Sequence, residues 1–144
     1  MKFALHLLIA AATSLASGAL WAAEIAIIAN PKANFDSITI SQVRQLFMAK
    51  SRTLPDEQNA VTFMQVEESP ARVAFDRIVL QRSPRDSRAY WAQLIFTGRG
   101  QPPSSLPDDA SVKEQVALYR NALGYILRES VDDSVKVVLV LPYH

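Results

Sequence analysis

The chain has 144 residues, with 15 Lys and Arg against 14 Asp and Glu, two His and no Cys. Near-neutrality argues against a nucleic-acid surface or a polybasic membrane patch, and the lack of cysteine excludes disulfides, thiol catalysis and Cys-ligated metal sites. The histidines are His6 and the last residue, His144, which leaves none in the interior for a triad or a histidine metal site.

Residues 1–22, MKFALHLLIAAATSLASGALWA, carry Lys2, an apolar run to about Ala12 and small residues thereafter, the pattern of a secretory signal peptide cleaved after Ala22, with Ala23 a near rival. Its apolar core is shorter than the span of about 20 residues that crosses a bilayer. No second apolar stretch of that length follows, so no stable membrane insertion is expected after cleavage. Lys2 is the only charged residue removed, leaving 14 basic and 14 acidic residues in a single domain over 23–144.

Taken in chain order, EIAIIAN from Glu24 to Asn30 is apolar without alternation, which suits a short strand buried on both faces, ended by Asn30-Pro31. Thr39 and Gln42 have capping-box spacing, and Ile38 and Val43 can form a hydrophobic staple; the helix they open turns Val43, Leu46 and Phe47 inward. Lys50 to Asn59 is polar and holds Pro55-Asp56, so it is predicted as a loop. Val61 to Val66 reads as a strand. A helix begins at Ser69 and runs to about Gln81, with Ala71, Ala74, Phe75 and Ile78 at helical spacing. Ser83-Pro84 starts another, with Asp86 as capping partner, Tyr90, Trp91, Leu94 and Ile95 on its buried face and Gly98 as its stop.

Gly98 to Asp109, GRGQPPSSLPDD, is predicted as an ordered surface loop. Ser111 and Glu114 form a second capping box, opening a helix through Val112, Val116 and Tyr119 to about Arg120. Gly124 to Leu127 and Val135 to Leu141 are strands separated by the turn SVDDS. The order β-α-β-α-α-α-β-β places the chain in the α/β class. Glu67-Glu68, Asp108-Asp109 and Asp132-Asp133 flank predicted elements and read as solvated turns and helix starts rather than catalytic pairs. With no nucleophile motif either, no catalytic residue, metal ligand or cofactor is expected, and the chain reads as a non-enzyme.

Four segments in order, SITISQVRQLFMAK, TFMQVEESPARVAFDRIVL, YWAQLIFTGRGQPP and ALGYI, resemble the phosphate-binding proteins of ABC importers, in particular their short single-lobe relatives. The resemblance covers about Ile25 to Leu141. It implies a periplasmic location and a single lobe of a type 2 periplasmic-binding-protein fold, a small mixed sheet flanked by helices. It also implies phosphate or a related oxyanion as ligand, and an ABC permease as partner. In longer relatives a strand bearing an Arg leads into an Asp-Gly-Ser-Gly-Thr turn that holds phosphate. Here Gln65 stands at the Arg position, Glu67 matches the Asp and Ser69 the Ser. Glu68, Pro70 and Ala71 replace the remaining turn residues.

The residues themselves leave two accounts of this turn. A helix N-terminus is a ready anion site, so Ser69, Ala71 and Arg72 could hold an oxyanion, with Arg99 between Gly98 and Gly100 as a further anion contact. Alternatively Ser69 only caps its own helix, Arg72 pairs with Glu68 or Asp76, and Arg99 is solvated. The corresponding functional alternative to transport is an interaction module in the cell envelope that kept the lobe and lost ligand binding, with an envelope sensor or porin as partner.

Overall fold

The computed structural model describes residues 23–143. The segment read as a signal peptide, its cleavage after Ala22, and both histidines lie outside them. Five strands, β1 (Glu24–Ala29), β2 (Val61–Gln65), β3 (Ser104–Leu106), β4 (Ala122–Leu127) and β5 (Lys136–Pro142), form one sheet in the order β3-β2-β4-β1-β5. β2 is parallel to β3 and to β4, whereas β1 is antiparallel to β4 and β5. Four helices, α1 (Ile40–Phe47), α2 (Pro70–Phe75), α3 (Pro84–Phe96) and α4 (Asp109–Leu118), complete the α/β fold.

β1 has no alternation because both of its faces are covered. Ile25, Ile27 and Ala29 join Phe47 of α1 and Phe75 of α2 in one core, while Ala26 and Ile28 join Val112 and Val116 of α4 in the other. In the first core the Phe75 ring lies flat on Tyr125 at 3.9 Å and meets Phe47 edge-on at 4.9 Å. Burying each such ring contributes about 1.5–3 kcal/mol.

The second core rests on Gly124 in β4. A Cβ there would lie 2.6 Å from Val112 Cγ1 and 3.1 Å from Val116 Cγ2, so glycine is what lets α4 approach the sheet. Gly124→Ala is expected to destabilise the chain by about 1–3 kcal/mol through overpacking. Urea unfolding checks this, and an unchanged midpoint would contradict the packing.

Local signals hold at three helix starts. Thr39 and Gln42 make the reciprocal capping box, and Ser69 and Ser83 each accept a hydrogen bond from the backbone three residues on, ahead of Pro70 and Pro84. Past Phe75 the helix widens into a π turn over Asp76–Leu80 and stops at Gln81, which is left-handed with φ 53°. There the Val79 carbonyl accepts from Arg44 Nε at 2.6 Å. The wider turn buries Val79 and Leu80 side by side.

Elsewhere the structure corrects the sequence reading. Ser104–Leu106, predicted as loop, is edge strand β3; its pairing with β2 is made by backbone, and Ser-Ser-Leu carries no alternation to betray it. Helix α4 is capped by Asp108, whose carboxylate accepts from the Ser111 N–H at 2.8 Å, so the predicted Ser111 and Glu114 box does not open it. The helix ends at Leu118, leaving Tyr119 extended, 48% exposed and stacked on Phe63. β4 begins at Ala122, two residues before Gly124.

The largest difference is α3. Tyr90, Trp91 and Leu94 are half-buried and Ile95 is exposed, so the predicted buried face is only partly covered. Ser87 is the one buried residue of this 13-residue helix. α3 is held at its flank by Tyr90, whose hydroxyl donates to the Met48 carbonyl at 2.6 Å, and by the exposed pair Arg88 and Glu67.

Candidate functional site

Because β2, β3 and β4 run parallel, their carboxyl ends open on one side of the sheet, the place where α/β folds hold ligands. A cleft of about 570 Å³ lies there. The start of α2 (Glu68, Ser69, Pro70) forms one wall, the start of α4 (Asp108, Asp109, Ala110) another, and Leu127 and Ser130 close it.

Of the predicted ligand groups, Ser69 alone lines this cleft, and its hydroxyl has an internal partner. The Ser69 hydroxyl accepts from the Arg72 N–H at 3.1 Å, fixing the first turn of α2, and Ala71 packs into the core with 1% exposure. The Arg72 side chain turns away from the cleft mouth. Its Nε donates to Asp76 Oδ1 and its Nη1 to the Gln65 carbonyl, both at 2.8 Å, and it is 92% buried, with 8% exposure. Arg72 thus ties the last residue of β2 to the second turn of its helix. Burial raises the Asp76 carboxyl above its ordinary value, which the Arg72 guanidinium only partly offsets.

Gln65, where the resemblance expects an Arg, is 1% exposed and makes four hydrogen bonds. Its N–H donates to the Tyr125 hydroxyl at 3.0 Å, and its carbonyl accepts from Arg72. Its side-chain amide donates to the Tyr125 carbonyl at 3.0 Å and to Asp109 Oδ1 at 2.7 Å. Burial also raises the Tyr125 hydroxyl above the usual phenol range, so it stays a neutral acceptor for the Gln65 N–H.

Asp109 is the residue the sequence did not single out. Besides Gln65, its Oδ2 accepts from the Ser130 hydroxyl at 2.6 Å and from the Leu127 N–H at 3.2 Å. A carboxylate at the first position of α4 also answers that helix's positive end. The chain's own anion therefore takes an amide, a hydroxyl and a backbone N–H, the donor set an external oxyanion would need. The only sequence signal was the pair Asp108-Asp109 after Pro107, in which the first Asp caps the helix and the second points into the cleft.

Charge reinforces this. The residues lining the cleft include Glu68, Asp108 and Asp109 and no cationic side chain. The Ser111 bond holds the Asp108 carboxyl below its ordinary value, so it stays charged. Arg99 is exposed beyond the end of α3 and is not among the lining residues. A second hollow of about 500 Å³, on the other flank of α2, mixes Glu67 and Asp76 with Arg77 and Arg82. No helix among the described residues is long and apolar enough to cross a membrane, and none of their acidic and histidine side chains form a metal-binding cluster.

No protein-family model and no curated protein matches the chain. Solved structures do. It is similar to an ABC-type phosphate transport receptor from Vibrio cholerae with TM-score 0.65 and 18% identity, over 81% of this chain and 45% of that one. A putative phosphate ABC transporter substrate-binding protein with bound phosphate from Clostridium perfringens gives TM-score 0.65 and 22% identity over the same shares. PstS from Borrelia burgdorferi gives 0.60 and 11%, over 81% and 47%. The chain spans less than half the length of these proteins, and over that part it has the fold of the phosphate ABC transporter substrate-binding proteins.

Proposed function

We propose that the chain acts in the periplasm as a non-enzymatic interaction module built on the phosphate-receptor fold, its cleft closed to free phosphate by its own Asp109. The observation that carries this is the carboxylate of Asp109 bonded to Gln65, Ser130 and Leu127. A phosphate dianion entering the cleft would have to displace it and would meet the like charges of Glu68 and Asp108 as well. An envelope sensor or a porin is the partner class for such a module.

A second reading is favoured by one specific observation, the fold likeness to the phosphate-bound Clostridium perfringens protein. On it, the chain is the solute-binding component of an ABC importer. Phosphate or a related oxyanion then sits at Ser69, Ala71 and Arg72, with Arg99 as a further contact and the permease as partner. Calorimetric titration separates the two. Phosphate and sulfate giving no saturable heat up to millimolar concentration is the result expected; micromolar binding would establish the importer reading instead.

A further inference from the structure

The outward face of α3 is unlike a solvated helix surface. At about 100° per residue, Arg85, Arg88, Ala89, Ala92, Ile95 and Phe96 fall within roughly 120° of arc. All six are exposed, Phe96 at 92% and Ile95 at 54%. The face carries no acidic and no neutral polar side chain, and Arg99 follows just beyond the helix end. Among the described residues neither Arg85 nor Arg99 makes an ion pair, and Arg88 has only the exposed contact with Glu67. Every cation between Lys50 and Lys113 is an arginine.

We propose that this face docks on an anionic lipid surface. Phe96 and Ile95 enter the boundary between headgroups and acyl chains, Ala89 and Ala92 let the helix lie close, and Arg85 and Arg99 hold lipid phosphates. Charge complementarity selects this occupant. A second copy would set arginine against arginine. A protein partner needs a broad patch of roughly 800 Å² a side, whereas this is one helix about 20 Å long with its apolar groups at one end. Interfacial binding calls for that mixture of protruding apolar side chains and cations, and guanidinium is the cation that meets phosphate oxygens in a fork. Chain-wide neutrality is no obstacle, because screening confines the attraction to charges within about 10 Å of the surface. The inference is independent of what the cleft holds.

The test is vesicle flotation with the full chain, comparing neutral phosphatidylcholine with vesicles also containing phosphatidylglycerol. Residues 1–22 are themselves apolar in sequence, so the readout is the ratio between vesicle types and between variants. The two unpaired arginines, Arg85 and Arg99, at about fivefold each give on the order of a twentyfold preference for the anionic vesicles, lost at high salt. Phe96→Ala weakens that binding by about tenfold while Phe96→Leu keeps most of it. Arg85→Gln with Arg99→Gln weakens it by more than tenfold. Each variant is exposed, and circular dichroism reports its fold. No binding, equal binding to both vesicle types, or binding indifferent to Phe96→Ala overturns the proposal; an acidic protein partner at this face would give the first of these.

Discussion

Arg72→Ala is expected to lower the unfolding free energy by about 3–5 kcal/mol, a large share of what a domain of this size has. The substitution leaves the Asp76 carboxylate buried without its guanidinium, removes the tie to the Gln65 carbonyl, and so loosens the junction between β2 and α2. The pH dependence has a definite sign. Burial already raises the Asp76 carboxyl, and the raising grows once Arg72 is gone. A carboxyl raised in the native state binds its proton more tightly there than in the unfolded chain. The variant's deficit should therefore shrink as pH falls from neutral towards about 4. Replacing both partners, Arg72→Met with Asp76→Leu, should recover most of the loss because no charge is left buried. Urea unfolding at two pH values measures all of this. A stable Arg72→Ala protein that only binds phosphate less well would mean that Arg72 is a ligand group and not a strut.

The second large effect is at Asp109. Asp109→Ala removes one of the two acceptors of the Gln65 amide and the acceptor of the Leu127 N–H and the Ser130 hydroxyl, and is expected to cost about 2–3 kcal/mol, the open cleft allowing water to take up part of the loss. It also removes one negative charge and frees three donors. Millimolar sulfate or phosphate should then raise the Tm of Asp109→Ala by more than it raises that of the wild type. Equal shifts in both proteins would show that the carboxylate is not what keeps anions out.

Much of the fold was legible because its signals are local. Thr39, Ser69 and Ser83 announce their helices within four residues, and the unbroken apolar run of β1 reflects burial on both faces. What was not legible depends on partners distant in sequence. β3 exists through backbone bonds to β2 some forty residues away, and the α4 cap passed to Asp108 because its carboxylate takes the Ser111 N–H, which puts Ser111 already inside the helix. The apolar period of α3 was real, but periodicity reports which residues share a face and not whether the sheet reaches that face. At the site, the stretch QVEESPAR correctly marked a capped helix start at the cleft. It could not show that Arg72 folds inward to Asp76, nor that Asp109, 44 positions from Gln65, lies against it.

In the native chain the donors at the cleft are held by its own Asp109 carboxylate. NMR can follow the Ala71 and Leu127 backbone amides and the Gln65 side-chain amide while phosphate is added to millimolar concentration. With Asp109 holding those donors, none of the three amides should show a saturable shift. Saturable shifts of Ala71 and Leu127 together, with the Gln65 amide released from Asp109, would contradict it.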